Sequence, residues 1–511
     1  FRDAKQLVRY REFTEEMVQL ILEADGSLKA EHGTGRIMAP FVRRQFGDEL
    51  FEVMREIKRL IDPKGFLNPG VVLAEEDTDY ATDLKVAETV EEEVDRCVEC
   101  GYCEPVCPSK DLTLTPRQRI VLRREIAAAE ANGDTKLAER LRQEYEYYGV
   151  DTCAVDGMCV TRCPVLINTG DLVRRLRAEN QDALGAAGWK FASKHWGTID
   201  KVAGKALTAA KMLPFPVVRG ATDIGRKLFG EDMVPAYKKG LSAGGAPRVP
   251  HAEANPDIVF FPACVNAMFG GVDGEGKHDP VNATQAFIRL CERAGVKYRV
   301  PEGIDQMCCG TPWKSKGYTD GYSIMSDRVL KALWQATDGW RIPIVCDASS
   351  CTEGLEVMRA KVAAALEHKI TQGLGAGEAD YAQLKLIDSV QFAADTLLPK
   401  LTVSAPLPSL ALHPTCSMTH LGVQPAFEKI ANAMSEQVYV PKNWGCCGYA
   451  GDRGMLHPEL TQSATRAETA ELNEHEFAAY ISSNRTCEQG MTEATGHTFQ
   501  NVLQLLERAT R

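Results

Sequence analysis

Two short cysteine ladders carry residue types and spacing that suit metal binding. The first has the pattern C-x2-C-x2-C-x3-C-P and runs from Cys97 to Cys107, and the second repeats that spacing from Cys153 with Asp156 in place of one cysteine. Three thiolates spaced by two residues wrap one corner of an iron–sulfur cubane, and the fourth cysteine, before proline, ligates another cluster. Zinc sites use two CxxC knuckles and need no such fourth cysteine. The ladders therefore predict two neighbouring iron–sulfur clusters.

Because the fourth cysteine of each ladder ligates the cluster of the other ladder, the ligands of each cluster can be assigned. The first cluster takes four cysteines, which are Cys97, Cys100, Cys103 and Cys163. The second takes three cysteines and one carboxylate, which are Cys107, Cys153, Cys159 and Asp156. A carboxylate is a harder and weaker ligand to ferrous iron than a thiolate, so we expect a [4Fe-4S] cubane with one labile iron, or a [3Fe-4S] form. The alternative is that Asp156 is a surface loop residue and that water or another side chain completes the site.

Further cysteines lie in an internal repeat that begins near residue 256. Three pairs of segments match in the same order: FFPACVNAMFG with LHPTCSMTHLG, QMCCGTPWKSKG with WGCCGYAGDRGM, and VCDASSCTEG with ISSNRTCEQG. The candidate metal ligands are Cys264, Cys308, Cys309 and Cys351 in the first copy and Cys416, Cys446, Cys447 and Cys487 in the second. The first copy also has Cys346, where the second has Ser482.

The glycine after each vicinal cysteine pair permits a tight turn that aims both thiolates the same way. This arrangement predicts a further iron–sulfur cluster in at least one copy of the repeat. The alternatives are free structural thiols at strand ends or a redox-active thiol pair. Cys291, between helix-like segments, is interpreted as a core residue.

The elements that position these residues differ along the chain. A long helical stretch separates the ladders, which is typical of an all-helical ferredoxin, whereas short apolar strands alternate with helices in the repeat and indicate an α/β fold. Between them, residues 186–248 hold eleven Lys or Arg against four Asp or Glu. This basic arm could rest on an anionic membrane surface. The favoured alternative is a connecting arm packed over the acidic remainder, or a subunit contact.

Composition argues against a nucleic-acid-binding, a membrane-spanning or a disulfide-rich secreted protein. The chain has 511 residues, seventeen cysteines and a formal net charge of −11, which argues against a nucleic-acid partner. No run of about 18 apolar residues and no signal peptide is seen, and clustered CxxC spacing in a long chain indicates metal rather than disulfides. We expect a reducing, cytoplasmic setting. Because the chain opens with Phe1 inside a helical pattern, we also expect that an N-terminal portion is missing.

The segment KAEHGTGR places Glu31 beside His32 in a glycine-flanked loop. Taken alone, such a pair is more often structural than catalytic. Together with IDPKGFLNPG, however, EHGTGR resembles the C-terminal end of the flavin-linked oxidase domain of D-lactate and D-2-hydroxyglutarate dehydrogenases. The resemblance implies that Glu31 ligates a divalent metal, Zn or Mn, and that His32 acts on the 2-hydroxyacid. A histidine base and a metal that polarises the hydroxyl suit removal of hydride from a 2-hydroxy carbon.

The order of the parts resembles the fused FAD/iron–sulfur D-2-hydroxyacid dehydrogenases of bacteria, and the repeat resembles the CCG domains of heterodisulfide reductases and glycolate oxidase iron–sulfur subunits. The resemblance implies FAD in the missing portion, a small 2-hydroxyacid substrate (D-lactate, with D-2-hydroxyglutarate or glycolate as alternatives), and a quinone or cytochrome acceptor. We also expect a homo-oligomer, either cytoplasmic or peripheral on the inner face of the cell membrane. The rival interpretation is a non-catalytic electron-transfer subunit of the heterodisulfide-reductase type.

The predicted fold class is multidomain, α+β and α/β. The predicted parts are the end of an FAD-linked oxidase domain (1–75), an acidic linker (76–91), a helical two-cluster ferredoxin (92–185), the basic arm (186–248), and CCG repeats at 249–400 and 401–511.

Overall fold

The computed structural model describes residues 4–29, 35–74, 79–81, 84, 88–231, 234–238, 240–271, 281–371 and 384–511. The chain forms two compact units. One comprises Phe1–Val90 with Glu130–Asn132, and the other comprises Glu91–Ala129 with Gly133–Arg511. The ladders, the basic arm and both repeats therefore lie in the same unit.

The first unit has two long helices, α1 (Ala4–Glu23) and α2 (Val42–Ile61). Its small core includes Val18, Phe41 and Tyr80, and the rings of Phe41 and Tyr80 lie 5.2 Å apart. Burial of these side chains is the main contribution that holds so small a unit together.

The turn after α2 is built around one aspartate. The Asp62 carboxylate accepts hydrogen bonds from the backbone N–H groups of Phe66, at 2.9 Å, and Leu67, at 2.7 Å. Lys58 lies 2.7 Å from the same carboxylate, and these partners hold the pKa of Asp62 below its usual value. The DPKGFLNPG segment is thus a turn stabilised by side-chain-to-backbone hydrogen bonds.

The regular elements of the ladder region are all helical. Its helices are α3 (Glu92–Asp95), α4 (Pro116–Ala131), α5 (Thr135–Tyr145) and α6 (Thr169–Glu179), and a π-helical turn, Glu146–Asp151, follows α5. Asp134 caps α5 by accepting a hydrogen bond from the Leu137 N–H, and Asn168 caps α6 in the same way. Such caps fix where each helix begins and therefore where the cysteine loops between the helices lie.

The basic arm consists of three helices, α7 (Ala183–Lys194), α8 (Trp196–Lys211) and α9 (Phe215–Phe229). Helix α8 contacts the first repeat through Lys201, whose ammonium lies 2.9 Å from Asp305. Helix α9 contacts the second repeat through Arg226, which donates a hydrogen bond to the Leu456 carbonyl at 3.0 Å. The arm therefore packs on both repeats.

The first repeat is a parallel sheet covered by helices. Its strands are β1 (Ile258–Phe261), β2 (Tyr298–Arg299), β3 (Ile344–Cys346) and β4 (Leu386–Asp388), in the order β2-β1-β3-β4. Its helices are α10 (Cys264–Met268), α11 (Ala283–Arg293), α12 (Thr311–Lys316), α13 (Thr319–Ala336), α14 (Ser349–Thr371) and α15 (Ser389–Phe392).

The second repeat has the same topology. Its strands are β5 (Leu410–Leu412), β6 (Val438–Tyr439), β7 (Ala479–Ser482) and β8 (Phe499–Asn501), in the order β6-β5-β7-β8. Its helices are α16 (Cys416–Leu421), α17 (Gln424–Met434), α18 (Arg453–Leu456), α19 (Pro458–Leu472), α20 (Arg485–Thr495) and α21 (Val502–Ala509). Two matching parallel sheets confirm the predicted α/β fold and the internal duplication.

The strand order explains where the cysteines of the repeats collect. In both sheets the two central strands are parallel neighbours, β1 with β3 and β5 with β7, and all four are buried. Loops that leave the carboxyl ends of such strands meet in one crevice, which is where α/β sheets bind ligands. Among the described residues, no helix combines the length and apolar character needed to cross a lipid bilayer.

Candidate metal centres

One cavity collects the four cysteines predicted for the first cluster. Cys97, Cys100, Cys103 and Cys163 all line it, so the second ladder contributes one wall. Burial, reinforced by the neighbouring thiols, raises the pKa of Cys103 to about 11. Such a thiol keeps its proton at neutral pH unless a metal cation displaces it. A set of four sulfurs around one cavity fits the donor chemistry of an iron–sulfur cluster.

A second cavity collects the other predicted set, Cys107, Cys153, Cys159 and Asp156. Asp156 is half-buried, and its Oδ2 atom is fully buried without a hydrogen-bond partner within the described residues. Burial raises the pKa of Asp156 to about 6 and that of Cys159 to about 12. A buried oxygen without a partner is costly, and a cation in the cavity would offset that cost.

The two ladders share an unusual backbone at the positions that carry Cys100 and Asp156. The residues just before them, Glu99 and Val155, have positive φ angles of 56° and 54°, and the glycines just after them have φ of 83° and 75°. A β-branched residue such as valine rarely adopts this conformation, and doing so costs about 1–3 kcal/mol. The second ladder therefore keeps the turn that aims this side chain into the cavity, although the side chain is a carboxylate.

A buried arginine, Arg119, lies beside the second cavity and was not anticipated from the sequence. Its guanidinium donates hydrogen bonds to the Gly149 carbonyl at 2.7 Å and to Ser109 Oγ at 2.9 Å, and lies 3.6 Å from Cys107 Sγ. Its side chain is fully buried, on helix α4. Burial raises the pKa of Cys107, whereas the positive charge of Arg119 opposes that rise. This cation compensates negative charge at the second cavity.

The two cavities are neighbours. Pro116, at the first turn of α4, and Thr169, at the first turn of α6, line both of them. Two side chains therefore form a shared wall. Adjacent cavities of this kind suit electron transfer between the groups that they bind.

The first repeat brings its cysteines together as a continuous cluster. Cys264 Sγ lies 3.5 Å from Cys308 Sγ. The thiol of Cys351 contacts those of Cys309 and Cys346, and these contacts, with burial, raise its pKa well above the usual value. The glycine that follows the vicinal pair has φ of 80°, as the tight turn requires. Cys346, whose place in the second repeat is taken by Ser482, therefore belongs to this thiol cluster.

The second repeat brings together four cysteines and a histidine. Cys446 contacts Cys416, and Cys447 contacts Cys487. His413 is fully buried beside this second pair. Burial alone would lower the pKa of His413, but the Glu468 carboxylate, 2.8 Å from Nδ1, and the Cys447 thiolate raise it to about 10.

His413 and Glu468 were missed in the sequence. The matched segments FFPAC and LHPTC place His413 opposite Phe261, and this polar replacement directly after an apolar strand was the available signal. No pattern pointed to Glu468, which lies on helix α19.

The second ladder and the second repeat touch each other at the metal-ligand positions. The Asp156 carboxylate contacts the Cys446 thiol, and His420 Nε2 donates a hydrogen bond to the Asp156 carbonyl at 3.0 Å. Gly157 lies against His420, where a Cβ atom on the glycine would come within 3.1 Å of the ring. The second cavity is thus adjacent to the cysteines of the second repeat.

Glu31 and His32 lie outside the described residues, and their predicted roles stay predictions. The other segment that carries the resemblance, the turn around Asp62, lies in the first unit.

Comparison with family models identifies three kinds of domain. The C-terminal domain of FAD linked oxidases matches residues 1–72, a 4Fe-4S dicluster domain matches residues 93–167, and a cysteine-rich domain matches residues 258–356 and 410–492. The dicluster and cysteine-rich matches support bound iron–sulfur clusters, and the first match supports a link to FAD. These assignments agree with the two cavities and with the duplicated sheets.

The similarity of the chain to known proteins agrees with these domain matches. The chain is 21% identical to the glycolate oxidase iron-sulfur subunit of Escherichia coli over 426 residues, which cover 81% of this chain and 93% of that protein. It is 25% identical to the D-2-hydroxyglutarate dehydrogenase of Haemophilus influenzae over 217 residues, 32% of this chain and 21% of that protein. It is 35% identical to a probable mitochondrial D-lactate dehydrogenase of Danio rerio over 71 residues, 14% of each protein.

The chain thus spans about a fifth or less of the last two relatives and nearly all of the first. The three kinds of domain, in this order, make the chain similar to FAD- and iron–sulfur-containing hydroxyacid dehydrogenases and to their iron–sulfur subunits.

Proposed function

We propose that this chain is the iron–sulfur part of an FAD-dependent D-2-hydroxyacid dehydrogenase that delivers electrons from the flavin to quinone or cytochrome. D-lactate is the favoured substrate, and D-2-hydroxyglutarate and glycolate are the alternatives. The observation that carries the proposal is the pair of adjacent cavities, each lined by four metal-binding side chains drawn from both ladders. When bound, FAD supplies the two-electron oxidation and the iron–sulfur clusters supply one-electron transfer.

The protein side chains have distinct roles in this proposal. Cys97, Cys100, Cys103 and Cys163 hold one cluster, and Cys107, Cys153, Cys159 and Asp156 hold the other. The vicinal cysteines of the repeats hold the further iron site or sites. Arg119 balances the negative charge of the second cavity. Outside the described residues, His32 is proposed to accept the hydroxyl proton of the substrate and Glu31 to ligate a divalent metal.

The contacts favour one order of the centres. The first cavity shares a wall with the second, and the second meets the cysteines of the second repeat through Asp156. In the proposal, electrons therefore reach the second repeat last. The exposed position of Cys100 agrees with a first cavity that faces an electron donor.

The decisive test measures iron, sulfide and EPR signals in anaerobically purified protein. Cys103→Ser and Cys159→Ser should each remove the EPR signal of a different cluster, with a loss of about three to four iron atoms per chain. Cys291→Ser is the matched control, because Cys291 is a fully buried thiol in the core of the first repeat and should leave the iron content unchanged. Protein that contains zinc and no iron would refute the proposal.

A second candidate function is an electron-transfer subunit without its own dehydrogenase activity. The long match to the glycolate oxidase iron-sulfur subunit favours it. Reduction of the clusters by D-lactate, D-2-hydroxyglutarate or glycolate, followed optically under anaerobic conditions, separates the two. Bleaching of a flavin band before the clusters are reduced supports the dehydrogenase, whereas cluster reduction that needs an added flavoprotein supports the subunit.

A further inference from the structure

The second repeat contains a buried imidazole that faces two thiols. One ligand atom from each of His413, Cys447 and Cys487 lies within 4.8 Å of the other two. All three side chains are buried, with exposed fractions of 0%, 2% and 7%. Three donor atoms at this separation can ligate a single metal ion.

The histidine is held in the orientation that a metal ligand needs. Its Nδ1 atom lies 2.8 Å from Oε1 of Glu468, which is itself 2% exposed. With a proton on Nδ1 donated to that carboxylate, Nε2 points away from Glu468, and a metal ion that displaces the Nε2 proton would bind its lone pair. Nε2 is buried and makes no hydrogen bond to any described residue. A carboxylate behind the histidine is the usual support of a metal-bound imidazole, because it fixes the ring and raises its basicity.

The first repeat is built differently at the same place. Phe261 ends β1 where His413 follows β5, and its ring is fully buried. The first repeat instead adds Cys346 to its thiol cluster, whereas the hydroxyl of Ser482, at that position in the second repeat, donates to the His413 carbonyl at 2.9 Å. One copy therefore offers sulfur donors alone, and the other offers sulfur and nitrogen.

We infer that His413 is a metal ligand of the second repeat, and that with Cys447 and Cys487 it binds an iron atom through an imidazole nitrogen and thiolate sulfurs. Imidazole and thiolate together suit zinc as well as iron. Iron is favoured because the neighbouring Cys446 contacts Asp156, which lines the second ladder cavity. A redox-inactive ion at this position could not receive an electron from that cavity. The inference rests on the proposed iron–sulfur function.

Nitrogen ligation can be detected without measuring activity. The full chain, purified anaerobically after labelling with ¹⁵N-histidine and reduced with dithionite, should show a directly coordinated ¹⁵N coupling in pulsed EPR. His413→Phe, which copies the first repeat, should abolish that coupling and release the iron of this site. Glu468→Gln should retain the coupling but lose iron to a chelator about 10–100-fold more readily.

His457→Asn is the matched control. His457 is another buried histidine, with Nδ1 3.2 Å from Glu459, and it is absent from the metal-ligand cluster of His413, Cys447 and Cys487. The control should keep the ¹⁵N coupling. If the unsubstituted protein shows the EPR signals of both ladder clusters but no ¹⁵N coupling, the inference is overturned and the proposed function stays intact. Metal analysis that finds one zinc ion per chain, lost only in His413→Phe, would also overturn the inference. Absence of all iron would refute the proposed function itself.

Discussion

Arg119 allows a quantitative test of which cluster lies in the second cavity. Its charge is 3.6 Å from Cys107 Sγ and fully buried, so dissolved salt screens it little. At an effective dielectric constant of about 20, unit charges at that distance interact by about 5 kcal/mol. Cluster charge is spread over more distant atoms, so roughly 2 kcal/mol is expected for one added electron, or on the order of 100 mV at about 59 mV per 1.4 kcal/mol.

The perturbation is Arg119→Gln, which removes the charge and keeps one donor for the Gly149 carbonyl. The reduction potential of the second-cavity cluster should fall by on the order of 100 mV, because a nearby cation favours the reduced, more negative cluster. The cluster proposed for the first cavity should change much less, since Arg119 does not line that cavity. A potentiometric titration followed by EPR resolves the two potentials.

Arg123→Gln is the control for loss of a positive charge from helix α4. Arg123 is one turn further along, partly exposed and paired with Glu91 rather than with a thiol. Iron content and circular dichroism establish that each variant is folded and loaded. Equal shifts in both clusters, or an equal shift from Arg123→Gln, would show that Arg119 does not act on the second cavity specifically.

Three further outcomes are expected. Asp156→Cys restores the full ladder, so the variant should retain the fourth iron after mild oxidation with ferricyanide, whereas the unsubstituted protein loses it; iron analysis and the [3Fe-4S] EPR signal measure this. Asp388 has its pKa raised from 3.8 to about 6 by burial, so the folded state binds this proton more tightly than the unfolded chain. The free energy of unfolding should therefore fall by up to about 3 kcal/mol as the pH rises from 4 to 6. Asp388→Asn, which copies Asn501 of the second repeat, should lack this pH-dependent loss in urea titrations. Trp313→Ala should lower the free energy of unfolding of the unit that holds both repeats by about 3–5 kcal/mol in urea, because Trp313 is fully buried; a loss below about 1 kcal/mol would contradict its role in the core.

The sequence was most informative where spacing alone determines geometry. The ladder spacing predicted that Cys163 would cross to the first cavity and Cys107 to the second, and the structure places each with the other three predicted residues. The alternation of strands and helices, with three segment pairs in the same order, was sufficient for the duplicated parallel sheets. Both features follow from local backbone geometry and hydrophobic pattern.

The residues that escaped prediction act through contacts between distant parts of the chain. Arg119 is one of several arginines on α4, and only packing against the π-helical turn buries it beside Cys107. Glu468 meets His413 across 55 residues, and His420 meets Asp156 across 264. No periodicity or local spacing encodes such pairs. They depend on how helices dock, which a single sequence does not specify.

The bond from His420 to Asp156 also bears on how the protein is assembled during synthesis. The first cavity has all four of its cysteines once residue 163 has left the ribosome, whereas the loop that carries Asp156 is secured by a residue 264 positions later. At about 5–20 residues per second, that interval is roughly 15–50 s. Throughout it, the three thiols and the carboxylate of the second cavity would lack the contact that holds the Asp156 carbonyl. Cells that make this chain would therefore gain from delivering iron to the second cavity only after translation of the second repeat.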